Sequence, residues 1–319
     1  MIEYHLRLMQ RSDLPAVNRV LAKAFTAARL SDGFKTPRVP LCHLSFLEMY
    51  LAVFPHGCFV IDDANGLVGY TFSRLWGEVA WIGPVSVIPA HQGKKLGQQL
   101  MVKTIETLQR HGARVIGLET MPRSVHNIGF YTQLGFLPRN LTVDLIQAVP
   151  RQPEAPFPAD YEVLCYNDAA PADKEALLTG VEKLARRLDP HLSIRPEIEV
   201  TQQFDYGDTI FVRHGRDMLA CFIAHVKTYS EDEAPRFMKV VVTLMDASLA
   251  VAEILPHLFA FAARGNLDTI SFRTPTRYLR AYSELIVAGF KVFHSDLRMT
   301  LEGYDEIADP KNFYLSKWE

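Results

Sequence analysis

Two stretches of this chain read alike. Cys58-Phe59-Val60-Ile61 leads to Val68-Gly69-Tyr70-Thr71, and Ile210-Phe211-Val212-Arg213 leads to Ala220-Cys221-Phe222-Ile223; in both, the Phe-Val pair begins eleven residues before an aromatic, at an offset of 152. Each is followed by another apolar strand pattern, an amphipathic helical pattern stopping near Gly112 or Gly265, a further strand, and a helix closed by Gly-Phe. Those pairs are Gly135-Phe136 and Gly289-Phe290, offset by 154. Self-similarity on this scale marks duplication of a whole domain and not a solenoid of short repeats. The 319 residues also exceed what one core usually holds, so the chain reads as a tandem of two α/β domains. Pro150, Pro153, Pro156 and Pro158 mark an extended linker over 149–159, which sets the domains at 1–148 and 160–319.

Local patterns in the first half supply the elements. Tyr4 to Leu8 alternates like an opening strand, and Asp13 is placed to cap a helix from Leu14 towards Phe25. Cys58 to Asp62 and Leu67 to Trp76 read as strands joined by the turn Asp63-Ala64-Asn65-Gly66, with a third strand from Val79 to Ile88. Leu96, Leu100, Ile105 and Leu108 then recur at helical spacing up to Gly112. Arg114 to Glu119 is a strand, and Val125 to Leu134 a helix stopped by Gly135. Each domain is expected to be a mixed, mostly antiparallel sheet flanked by helices.

Composition removes several function classes. The formal net charge of −2 gives no clustered basic surface for nucleic acid. No apolar run reaches membrane-spanning length, and the start of the chain lacks the basic and apolar regions of a signal peptide. Cys42, Cys58, Cys165 and Cys221 are scattered without a metal-binding spacing, so no metal and no disulfide framework is expected. A cytoplasmic enzyme of small molecules or peptides is the expectation, with its oligomeric state left open.

The segment Val85 to Leu100 carries the most chemistry. An apolar strand ends at Pro89, a turn follows through His91, Gln92, Gly93, Lys94 and Lys95, and a helix opens near Leu96 and Gly97. Unpaired N–H groups at a helix start, with the positive end of the dipole behind them, form an anion site suited to a phosphate or pyrophosphate. Neither the GxxxxGK[ST] nor the GxGxxG pattern occurs, so nucleoside triphosphates and dinucleotides have no motif to bind. Gln92-Gly93-Lys94-Lys95-Leu96-Gly97, followed by Tyr131-Thr132-Gln133-Leu134-Gly135-Phe136, resembles the acyl-CoA signature of the GNAT superfamily of N-acetyltransferases.

That resemblance implies a reaction and its parts. Acetyl-CoA is the implied co-substrate, with Val85, Ser86 and Val87 bonding the pantetheine arm and the N–H groups from Gln92 to Gly97 holding the pyrophosphate. Lys95 departs from the family, which favours glycine there because the backbone approaches the ligand closely. The family helix N-x-x-A-x-x-x-Y-x-x-x-G-F is matched at Tyr131, Gly135 and Phe136, while Ser124 and Asn127 stand at its asparagine and alanine positions; Ser124, Asn127 and Tyr131 are the cofactor-binding residues the resemblance implies there. Tyr131 is implied as the acid for the departing thiolate, and a backbone N–H near Val85 or Ser86, beside an expected bulge at Gly83-Pro84, as the donor to the thioester oxygen. Glu119 is the first candidate base. Glu78, His126 and, by analogy with tandem members that use a chain-terminal carboxylate, Glu319 are weaker ones. The corresponding second-half segment, Leu244 to Glu253, has neither glycine nor lysine and carries Asp246 and Glu253, so that half is expected to be degenerate. The acceptor is expected to be an amine on a small molecule or peptide. A non-catalytic acyl-CoA-binding module is the alternative.

Overall fold

The computed structural model describes residues 3–151, 161–228, 237–307, 309 and 311–315. Most of the proline-rich linker, and Trp318 and Glu319, lie outside them. Two compact units result. One is built on Met1–Leu137 and takes in Met299–Asp305; the other comprises Pro138–Thr228, Pro235–Arg298 and the end of the chain.

The first unit opens with β1 (His5–Leu8), α1 (Leu14–Ser31) and α2 (Leu44–Val53). It continues through β2 (Phe59–Asp63), β3 (Gly66–Trp76), β4 (Val79–Val87), α3 (Leu96–Arg110), β5 (Val115–Thr120) and α4 (Val125–Gln133). The strands lie in the order β1-β2-β3-β4-β5, antiparallel except for the β4–β5 pair. Hairpin neighbours pair antiparallel, whereas the β4–β5 crossover through α3 brings its strands in parallel. The β2–β3 turn forms as expected: Gly66 takes φ +122° and Asn65 N–H donates to Asp63 Oδ1 at 2.7 Å. On one face, Phe59, Ile61, Val68 and Val87 pack against Leu96 and Leu100 of α3. The i, i+4 spacing of those two leucines fits the apolar stripe of a sheet-packed helix.

Two local expectations change. Asp13 makes no side-chain cap on α1; its carboxylate accepts the Gln10 N–H at 2.8 Å and pairs with Arg7 at 2.7 Å. Helix α2 was not legible, because eight of the ten residues of Leu44–Val53 are apolar and only Ser45 and Glu48 mark a polar face. Buried Asn18 of α1 sets where α2 begins: its amide donates to Cys42 O at 2.7 Å and accepts the Cys42 N–H at 2.9 Å.

The order of elements then repeats. After β6 (Phe136–Ala148) come β7 (Tyr161–Cys165), α5 (Pro171–Leu188), α6 (Arg195–Gln203), β8 (Gly207–His214), β9 (Asp217–His225) and β10 (Phe237–Met245). The chain continues through α7 (Val251–Arg264), β11 (Thr269–Pro275), α8 (Leu279–Val287), β12 (Lys291–Leu301) and β13 (Phe313–Leu315). In the second unit the order is β6-β11-β10-β9-β8-β7. Strand β6 runs antiparallel to β11 from Thr142↔Pro275 to Ala148↔Thr269, so from Pro138 onward it is counted with this unit. The first unit is supplied in turn by Met299–Asp305: Ile116 N–H donates to Tyr304 O at 3.1 Å, and Glu302 N–H to Gly135 O at 3.0 Å. Among the described residues no helix is long and apolar enough to cross a membrane.

Candidate functional site

The two edges of β4 differ. Towards β3 it is paired along its length, with Gly69↔Val87, Tyr70↔Ser86 and Thr71↔Val85, and one register shift between Thr71 and Ser73 at the expected bulge. Towards β5 the pairing covers only Val79–Trp81 against Val115–Gly117. A Cβ on Gly117 would fall 2.2 Å from the Trp81 ring, so the indole crosses β5 where a side chain would not fit. Beyond that point Val85, Ser86 and Val87 present an edge outside the β5 ladder. The Val87 side chain belongs to the core, and its carbonyl accepts from Gln92 Nε2 at 3.0 Å.

The turn after β4 gathers donors. Ile88 N–H is held by Val68 O and His91 N–H by Ile88 O, each at 2.9 Å. Gln92 N–H donates to Pro89 O at 3.2 Å, which removes it from the run of donors expected from Gln92 to Gly97. The run therefore starts at Gly93, which takes φ +75°; Lys95 takes φ +62°, and α3 starts at Leu96. The first-turn N–H groups of a helix have no carbonyl four residues back, and residues of alternating handedness turn successive N–H groups to one side, forming an anion nest. The left-handed conformation of Lys95 gives the physical reason for glycine at that position. Leu96 is buried in the core and offers only its main chain. Lys94 Nζ donates to Tyr4 Oη at 3.0 Å, and that hydroxyl lies 3.1 Å from His91 Nδ1, so the Lys94 charge is drawn to the side of the turn. A Cβ on Gly97 would sit 3.4 Å from Phe130 Cζ and 3.9 Å from Val87 Cγ2, ordinary contacts, so alanine fits there while a larger side chain would have to find room beside those two residues. These features fit a pyrophosphate at the turn and an extended amide-bearing arm along the β4 edge.

The chemistry-bearing side chains come from β5 and α4. Glu119 is 5% exposed near the end of β5. Ser124, also buried, is the residue before α4 but makes no side-chain cap, and Asn127 lies half-buried one turn on. Tyr131 is 9% exposed, its ring 5.2 Å from that of Phe130 and 6.2 Å from that of Phe136. Burial pushes its phenol well above the ordinary tyrosine value, so it keeps its proton through the neutral range. Glu78 falls at the other end of β4, where its carbonyl accepts the Arg114 N–H at 2.8 Å. It is thereby separated from Ser86 by roughly 26 Å of strand. His126 is exposed.

Pattern reading missed the rest of this face. Arg74 pairs with Trp81 across the ladder, Trp81 covers Gly117, and Glu119 follows two residues later, so Arg74 and Glu119 share a face of the sheet. Arg74 is buried with its guanidinium 3.8 Å from the centroid of Tyr50 in α2. Tyr70, four residues before Arg74 on β3, is wholly buried. An arginine inside an apolar strand was the available signal.

The second unit's counterpart of the turn is closed by its own side chains. At the start of α7, Ala250 N–H donates to Glu253 Oε2 at 2.7 Å and Val251 N–H to Glu284 Oε2 at 2.6 Å. Just before it, Ser248 N–H donates to Asp246 Oδ1 and Ala247 N–H to Asn312 Oδ1. Strand β10 pairs with β11 over Phe237–Val240, and at Thr243–Met245 it pairs with β13, where the first unit's β4 has an edge outside the β5 ladder. Among the described residues no cluster of histidine, cysteine, aspartate and glutamate is arranged to hold a metal.

Residues 20–136 match the model of the Acetyltransferase (GNAT) family. No curated protein matches the sequence significantly. Several solved structures share the fold over nearly the whole chain. A protein of Pyrococcus horikoshii is 16% identical, with a TM-score of 0.65 and coverage of 98% of this chain and 94% of that one. A GCN5-related N-acetyltransferase of Sphaerobacter thermophilus is 14% identical at a TM-score of 0.62, covering 96% and 98%. A tandem GNAT protein of the clavulanic acid biosynthesis pathway is 13% identical at 0.58, covering 96% and 100%.

Proposed function

We propose, from the match of residues 20–136 to the GNAT acetyltransferase family, that the chain moves an acetyl group from acetyl-CoA to an amine by direct transfer. The transfer takes place in a first, catalytic domain, while the second is a degenerate copy. One contrast carries this reading: donors at Gly93–Gly97 stand beside a β4 edge outside the β5 ladder, while the equivalent donors of α7 are engaged by Glu253 and Glu284 and the equivalent edge by β13.

Acetyl-CoA supplies an acyl group activated as a thioester. The turn's N–H groups bind its pyrophosphate, and Val85–Val87 orient the pantetheine arm. A main-chain N–H at Val85 or Ser86 donates to the thioester oxygen as charge gathers there. The amine nitrogen forms a bond to the carbonyl carbon as the carbon–sulfur bond breaks. Glu119 takes the proton lost by the amine, directly or through water, and Tyr131 gives its proton to the thiolate. Burial suits Tyr131 to that task, since an acid must still hold its proton when the leaving group departs.

The test is calorimetric titration of acetyl-CoA and desulfo-CoA into the wild type and Gly97→Asp. Binding to the wild type that the variant loses is expected; absence of binding to the wild type would remove the reading. Tyr131→Phe is then expected to lower kcat by about 100-fold or more while leaving acetyl-CoA affinity intact. Ser124 and Asn127, at positions where the family carries other residues, favour a second reading as a non-catalytic acyl-CoA-binding module. Binding without turnover across a broad amine panel would select it.

A further inference from the structure

A cavity of about 630 Å³ lies in the second unit and is lined by none of the residues assigned to acyl transfer. It is lined by β7 and its connection to α5, by α5, by the β8–β9 hairpin and by α7. The volume is within the range of small-molecule sites. Two carboxylates, Asp168 and Asp173, and three arginines, Arg213, Arg216 and Arg264, face it. Arg213 is engaged by Glu162. Asp168, Asp173, Arg216 and Arg264 form no ion pair among the described residues, although both signs of charge line one cavity.

Cys165 ties two of these charges together. The Arg264 guanidinium and the Asp168 carboxylate both line the cavity with Cys165 and lie close enough to act on its thiol with opposite sign. Burial, reinforced by Asp208 and Asp168, pushes the thiol up to about 11, so it adds no charge of its own. Burial likewise lowers the His257 pKa, leaving that imidazole neutral at pH 7. The remaining lining, including Leu177, Met218 and Phe261, is apolar. A cation and an anion held apart beside a common neutral side chain, over an apolar floor, match a ligand bearing both charges on an apolar body.

We propose that this cavity binds a zwitterion of the amino-acid class, with Arg264 and Arg216 on its carboxylate and Asp168 and Asp173 on its ammonium. Its lining shares no residue with the acetyl-CoA groove, so it stands whether or not the transferase reading holds. A domain whose own anion turn is closed by glutamates thereby retains a ligand, and an amino acid is a signal that a metabolic enzyme can use.

The experiment is calorimetry on the full chain with L-phenylalanine and leucyl-phenylalanine, and with 2-phenylethylamine and 3-phenylpropionate as analogues bearing one charge. At least one zwitterion is expected to bind saturably, and the single-charge analogues about tenfold more weakly or less, as expected for one lost charge-assisted hydrogen bond. Arg264→Gln and Asp168→Asn are each expected to weaken the zwitterion by about tenfold. Asp168→Asn should leave 3-phenylpropionate unaffected, and Arg264→Gln should leave 2-phenylethylamine unaffected. Both side chains are exposed, so the fold is expected to survive, with thermal melting as the control. No binding by either zwitterion, equal binding of 3-phenylpropionate and the zwitterions, or binding unchanged in both variants would overturn the proposal.

Discussion

Lys95 holds φ at +62°, where the Cβ of an L-residue crowds the following carbonyl at a cost of roughly 1–2 kcal/mol. Lys95→Gly is therefore expected to stabilise the chain by up to about 1 kcal/mol once glycine's greater unfolded-state freedom is counted, read as a higher urea midpoint at unchanged slope. Tyr70 offers a complementary case. It is wholly buried, and its hydroxyl lies near the Ser86 side chain without a hydrogen bond of good geometry. An unsatisfied buried hydroxyl costs about 1–3 kcal/mol, so Tyr70→Phe is expected to keep or raise the melting temperature; a clear fall would mean that the hydroxyl is satisfied. The identity of both residues is plain in the sequence, but their situation is not. The Lys95 departure from glycine was visible, whereas its handedness and the loss of the Gln92 N–H to Pro89 depend on how β4 enters the turn. Tyr70 meets Ser86 only through strand register, which no local pattern encodes.

At the scale of elements, strands β6, β11 and β12 are joined by charge. Arg273 bridges Asp144 at 3.1 Å and Asp296 at 2.8 Å, and His294 pairs with Asp296 at 3.3 Å. The hydrogen bond to Asp296 raises the His294 pKa above its ordinary value against the opposing effect of burial. A raised folded-state pKa contributes stability that is complete below the unfolded value of about 6.5 and is lost as pH rises through the folded one. Melting temperature should thus fall as pH climbs from 6.5 through that window, and His294→Gln should flatten this part of the profile. An identical slope in both proteins would assign the pH dependence to other groups. Element reading succeeded where periodicity was sharp: the β2–β3 hairpin, α3 and α4 fall within a residue or two of expectation. It failed at α2, where only Ser45 and Glu48 interrupt an apolar run, and at β13, whose place on β10 depends on a partner some seventy residues away in sequence.

On the scale of the whole molecule, the repeated halves and the compact units have different boundaries. The duplicated pattern from Phe59 to Phe136 and from Phe211 to Phe290 was legible because strand and turn residues recur at nearly constant offset. The handing of β6 to the second unit and of Met299–Asp305 to the first was not, since both segments look like the last strand of their own half. A fragment of residues 1–148 lacks the segment whose backbone meets Ile116 and Gly135, and it carries β6 without β11. We expect that fragment to show no cooperative thermal transition by circular dichroism, in contrast to the full chain; a sharp transition would mean that the first half completes its own sheet. The same arrangement governs biosynthesis. Chains of two domains usually let the leading one fold while the rest is still being translated. Here the leading half acquires the backbone partners of Ile116 and Gly135 only when residue 305 has left the ribosome, so its first-made part waits for more than 160 further residues after Leu137 before it is whole.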